Sequence, residues 1–146
     1  PVGFSLSNRF RYQWADGNLL SSEQFGIGGW QTVRGYDERL ANGDEGWFLS
    51  SELRAPPISF GRLFNEPALD DQLQFLIFWD HGAVSNVDLL PGEKAEIYLS
   101  GAGPGLRYHI GQYLSLRVDY GFQLHDPDLP SNTKDSRWHI GVICSF

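Results

Sequence analysis

The chain has 146 residues, with 11 Lys+Arg against 18 Asp+Glu and a formal net charge of −7. This acidic balance excludes a nucleic-acid binder, which needs clustered cations to neutralise phosphates. The single cysteine, Cys144, excludes an internal disulfide framework, and the longest clean apolar run, 75–79, falls far short of the about 18–20 residues of a membrane-spanning helix. Aromatics at 14% together with 17 glycines suit strands and their turns. The sequence contains no Met, which points to a piece of a longer protein.

In chain order, period-two alternation appears first over 2–14, where Val2, Phe4, Leu6, Phe10, Tyr12 and Trp14 share a face opposite Arg9 and Arg11. A long polar loop is expected over about 15–46. The next strand, 47–55, sets Trp47, Leu49 and Leu53 against Phe48, Ser50, Glu52 and Arg54. Over 73–80, Phe75, Ile77 and Trp79 oppose Leu76, Phe78 and Asp80; a short strand at 106–110 carries Arg107 and His109 on its polar side. The clearest alternation is 114–124, with Leu114, Leu116, Val118, Tyr120, Phe122 and Leu124 against Ser115, Arg117, Asp119, Gly121 and Gln123. The last strand, from 137 to the terminal Phe146, puts Trp138, Ile140, Val142 and Cys144 opposite Arg137 and His139. Connections are expected at 56–72, 81–105, 111–112 and 125–136, and no stretch has a capped 3.6-residue pattern.

Six strands of this kind fit either a soluble β-sandwich or an all-β, antiparallel transmembrane barrel, in which the apolar face meets lipid and the polar face a watery lumen. Residue types favour the barrel. The polar faces collect Arg9, Arg11, Arg54, Arg107, Arg117 and Arg137 with Glu52, Asp80 and Asp119. The apolar faces carry aromatics near the strand ends (Tyr12, Trp14, Trp47, Trp79, Trp138), as a membrane girdle does. Six strands cannot close around a water-filled lumen, so more are expected elsewhere in the protein. The Gly101–Gly105 cluster has no following helix for a phosphate, the four histidines lack ligand spacing, and the paired loop carboxylates look solvated, so no enzyme site, metal or cofactor is expected.

The segment Gly28-Gly29-Trp30-Gln31-Thr32-Val33-Arg34-Gly35-Tyr36-Asp37 resembles the Gly-Gly-x-x-Thr-Val-Arg-Gly-Tyr-acid motif of TpsB-type two-partner-secretion translocators, the ShlB/FhaC/HecB family. Phe75-Leu76-Ile77-Phe78-Trp79-Asp80-His81-Gly82 is similar to that family's later Phe-x-x-Phe-x-Asp-x-Gly strand. The resemblance implies the C-terminal six strands of a sixteen-stranded barrel in the outer membrane, with POTRA domains upstream. It implies a loop folded into the lumen, where Arg34 meets Asp80 and Glu52, with Val33, Gly35, Tyr36 and Phe78 around them. It further implies a secreted haemolysin- or adhesin-like exoprotein as partner, lipid around the wall, and a terminal Phe146 read by the barrel assembly machinery. Val-Arg-Gly-Tyr is shared with BamA-like insertases, which remain the alternative within the superfamily.

Overall fold

The computed structural model describes residues 3–145 apart from 65, 67–69, 90, 91, 93 and 133; Val2 and Phe146, to which the sequence reading gave a place in the first strand and an insertion signal, lie outside them. Six strands make one antiparallel sheet: β1 (Ser5–Gln13), β4 (Glu45–Arg54), β5 (Asp71–Ser85), β6 (Glu96–Ile110), β7 (Leu114–Gln123) and β8 (Ser136–Cys144), paired in that order. The long connection between β1 and β4 contains a small two-stranded ribbon, β2 (Phe25–Ile27) with β3 (Ala41–Gly43). Among the described residues β1 and β8 each keep an unpaired edge.

The alternation sorts the two faces. On one, Phe75, Ile77, Trp79, Trp138, Ile140 and Val142 are exposed, Trp79 at 54% and Ile140 at 61%. On the other, Phe48, Ser50, Glu52, Phe78, Asp80, Asp119 and His139 are buried. A sheet that shows its large apolar side chains and covers its charges is inverted with respect to a water-soluble fold. Against lipid the same arrangement is favourable, because apolar surface meets acyl chains while the paired strands keep their backbone polar groups in the ladder.

Two strands run further than their periodicity predicts. β5 continues to Ser85 and β6 begins at Glu96, so their connection spans 86–95 in place of the expected 81–105. Within the added part of β6, the stretch Ser100-Gly101-Ala102-Gly103-Pro104-Gly105 carries almost no large apolar side chains to alternate, yet pairs residue for residue with β5. Its glycines are required by close approach: a Cβ on Gly101 would lie 2.1 Å from the Arg34 carbonyl oxygen, and one on Gly105 would lie 2.2 Å from the Asp119 carboxylate. The connection at 56–72 holds a single helical turn, α1 (Phe60–Leu63), which the sequence reading missed. Ser59 caps it by accepting from the Arg62 amide at 3.2 Å, and Asp71 accepts from the Phe60 and Gly61 amides at 3.0 and 2.9 Å. One turn is too short to show a helical period; its signal is the cap.

Candidate functional site

The segment between β1 and β4 turns back and lies on the polar face of the sheet. Phe25, Ile27, Val33, Tyr36 and Ala41 from this loop pack with Phe48, Val84 and Leu99 from the wall, forming an apolar core between loop and sheet. The Val-Arg-Gly-Tyr segment is held in shape by its own bonds: the Gly29 amide donates to the Val33 carbonyl at 3.0 Å, the Thr32 hydroxyl to the Gly28 carbonyl at 2.9 Å, and the Trp30 amide to the Glu38 carboxylate at 2.7 Å.

At the tip Arg34 is 1% exposed. Its Nε and Nη2 form a two-pronged fork on the Asp80 carboxylate at 2.6 and 2.9 Å. Nη1 reaches Glu52 at 2.8 Å and Asp119 at 3.5 Å, and the guanidinium carbon sits 3.6 Å above the Phe78 ring centroid. Ser50 completes the shell, accepting from Nη2 at 3.2 Å and donating to Asp80 at 2.6 Å. One loop cation thus ties together carboxylates from β4, β5 and β7. Burial alone would lower the guanidinium pKa; hydrogen bonding to Asp80 and the nearby charges of Asp80, Asp119 and Glu52 outweigh it and raise the value, so the group stays charged.

The rest of the tip is fixed by backbone contacts. Gly35 adopts φ +102°, its amide donates to His139 Nε2 at 3.2 Å, and its carbonyl accepts from Gln123 at 3.0 Å. Tyr36 is fully buried; its hydroxyl lies 2.8 Å from the Ser100 carbonyl, with the His125 carbonyl also in reach, and accepts from the Ser100 amide at 3.3 Å.

All six wall arginines lie on this face, and they divide into two sets. Arg9 donates to the Gln31 carbonyl at 2.9 Å, Arg11 lies over the Phe25 ring, and Arg137 pairs with Asp37 at 2.6 Å, so these three grip the loop. Arg54 holds Glu52 at 2.7 Å, while Arg107 and Arg117 hold Asp119, each at 2.7 Å. Those three support the acids that hold Arg34.

The structure brings together Arg34, Asp80, Glu52 and Phe78, which sequence reading had grouped; Tyr36 reaches further across, to β6. Sequence reading did not link Asp119, Ser50, Ser100, Gln123 or His139 to the loop. Strand register could have found two of them, Ser50 and Gln123: Arg9, Ser50, Asp80, Gly101 and Gln123 are successive partners across β1, β4, β5, β6 and β7, forming one row on which the tip rests.

Asp44, where the loop rejoins the wall, was also missed. It is 1% exposed and accepts from the Leu19 amide at 2.8 Å, Gln24 at 3.1 Å and the Val87 amide at 3.1 Å. The Leu19 bond, with those from Gln24 and Val87, outweighs burial and lowers its pKa. A carboxylate held below its ordinary value stabilises the fold above the ordinary carboxylate range, and the stabilisation disappears as pH falls through the lowered value. Hydrogen-exchange protection of the Leu19 and Val87 amides should therefore fall in acid. Asp44→Asn should loosen both at neutral pH by about 1–3 kcal/mol and flatten the acid dependence; unchanged protection in that variant would show that the carboxylate does not tie the loop.

A strand wall with one lipid-type face and one charged, loop-covered face has the build of a transmembrane β-barrel wall. The family model described as haemolysin secretion/activation protein ShlB/FhaC/HecB matches residues 2–108, and the chain belongs to that family. Among solved structures, CdiB from Acinetobacter baumannii matches with a TM-score of 0.72 at 27% identity, covering 95% of this chain and 23% of that one. The chain therefore spans about a quarter of that protein's length. No curated protein sequence matches the chain. Members of the family are outer-membrane β-barrel transporters of Gram-negative bacteria, which places this chain in that membrane.

Proposed function

We propose that the chain is the C-terminal part of the barrel of a two-partner-secretion translocator, which passes a large haemolysin- or adhesin-like exoprotein across the outer membrane. In this reading ten further strands close a sixteen-stranded pore, POTRA domains lie upstream, and the barrel assembly machinery inserts the whole. The chain end lies on the periplasmic side, so the connections at 14–44, 86–95 and 124–135 are extracellular and those at 55–70 and 111–113 are periplasmic. The family match favours this reading over a BamA-like insertase. No covalent chemistry is involved; the protein is a path, and the loop controls it.

The observation that carries the reading is the burial of Arg34 among three carboxylates on three different strands. A charge so enclosed is a latch: it fixes the loop against the lumen wall and draws β4, β5 and β7 onto one group. A guanidinium suits the task because its rigid fork bridges two carboxylates, which a lysine ammonium does less well. The latch stabilises the arrangement of loop and wall from which the pore conducts. A double-mutant cycle of Arg34→Ala and Asp80→Asn, read on exoprotein secretion, tests it. The double variant should secrete no less than the worse single, because each single change already breaks the pair. Strictly additive losses would mean that the two residues act separately.

A further inference from the structure

Beside the latch, towards the 111–113 turn, the wall opens into a cleft of about 150 Å³ lined by Arg9, Arg54, Arg107 and Arg117 with Glu52 and two serines. Counting the latch behind it, five guanidiniums (Arg9, Arg34, Arg54, Arg107, Arg117) face three carboxylates (Glu52, Asp80, Asp119). Arg107 and Arg117 are direct cross-strand partners. Like charges in that position repel, and one carboxylate, Asp119, is shared between them at 2.7 Å from each. Arg117 spends only its Nε on that bond; among the described residues its two Nη groups have no hydrogen-bond acceptor, and the Trp30 ring lies against the guanidinium, 4.8 Å from its carbon to the ring centroid. Arg54 likewise leaves Nη1 free of any acceptor among the described residues. The fold thus retains a surplus of positive charge around a small polar hollow, with donors left over.

We infer that this cleft is a carboxylate-binding subsite, which holds acidic side chains of the exported chain briefly as they pass. The inference rests on the translocator reading, in which the 111–113 end of the wall is periplasmic and the cleft precedes the latch on the client's path. Size and chemistry select the ligand. The hollow takes a single small group, guanidinium forks match the planar carboxylate, and an added anion relieves the Arg107–Arg117 repulsion. The side chains of Arg54, Arg107 and Arg117 remain 38%, 12% and 27% exposed. Water screens such contacts and keeps them weak, as a moving chain requires.

The test uses the full-length protein in detergent micelles and a short fluorescent peptide rich in Glu, compared with its Gln counterpart by anisotropy at low salt. The Glu peptide should bind and the Gln peptide should not, with inorganic phosphate competing. Arg54→Gln with Arg117→Gln should weaken the Glu peptide about tenfold, the loss of two partly exposed charge pairs. Arg62→Gln, on the distant helical turn, should leave it unchanged. The corresponding double Lys variant keeps the charge and should recover much of the affinity, and unchanged heat-modifiable migration shows that the barrel is intact. Equal binding of the two peptides, or affinity indifferent to the double Gln variant, overturns the subsite. Neither result touches the translocator reading, which is tested separately by secretion through Arg34→Ala.

Discussion

Arg34→Ala should abolish or strongly reduce exoprotein secretion while the barrel still inserts. The change leaves Asp80 and Asp119 fully buried, with Glu52 beside them, and removes the cation common to all three. Breaking a buried pair by deleting one partner costs about 3–5 kcal/mol, enough to shift the loop between docked and released forms by roughly two to four orders of magnitude. The ladder from β1 to β8 does not involve the Arg34 side chain, so heat-modifiable migration of the folded barrel should persist. Arg34→Lys keeps the charge and loses the fork, and should fall between the two. Secretion at the wild-type level by Arg34→Ala would remove the latch from the mechanism.

A comparable loss is expected from a change that adds only a methyl group. Gly121 lies under the loop tip, and a Cβ there would be 2.4 Å from the Gly35 amide nitrogen and 2.7 Å from Gly35 Cα and the Arg34 carbonyl carbon. Every one of these atoms is backbone, so no side chain can swing aside; Gly121→Ala must lift the tip or push β7 outward. Overpacking of this kind costs about 1–3 kcal/mol or more, and it acts here where the Arg34 fork needs an approach of 2.6 Å. Secretion should drop in Gly121→Ala although every charged residue is present. Gly17→Ala, where an added Cβ meets nothing within 4 Å, should be silent. Equal secretion by the two variants would show that the tip does not need to lie flat on the sheet.

These two predictions divide along what could be read in the sequence. The wall was legible because period two separates lipid-facing from lumen-facing residues, and that parity had put Glu52, Phe78, Asp80 and Asp119 on one side. Arg34 was legible through its motif. The docking surface was not: Gly101, Gly105 and Gly121 serve by lacking a side chain, and even where parity assigns the face, as at Gly121, it does not show that a loop lies against it. The same absence hid the 100–105 stretch of β6. The β2–β3 ribbon, three residues to a strand, is too short for alternation to register. Asp119 illustrates a different limit: parity assigned its face, but its distance to Arg34 depends on sheet curvature and loop placement, which no local pattern encodes. Asp44 appeared as one of several loop acids, and only the fold gives it the amides of Leu19 and Val87.

If Arg34 holds the loop against the wall, its neighbour in the loop must be shielded from solvent for as long as Arg34 is in place. Val33 is fully buried between loop and sheet, and cysteine is a small apolar replacement for it. With Cys144→Ser as background, Val33→Cys should resist a membrane-impermeant maleimide in intact cells when Arg34 is present, and should label readily when Arg34→Ala is added. Equal labelling of Val33→Cys with and without Arg34, whether protected or exposed in both, would contradict the latch.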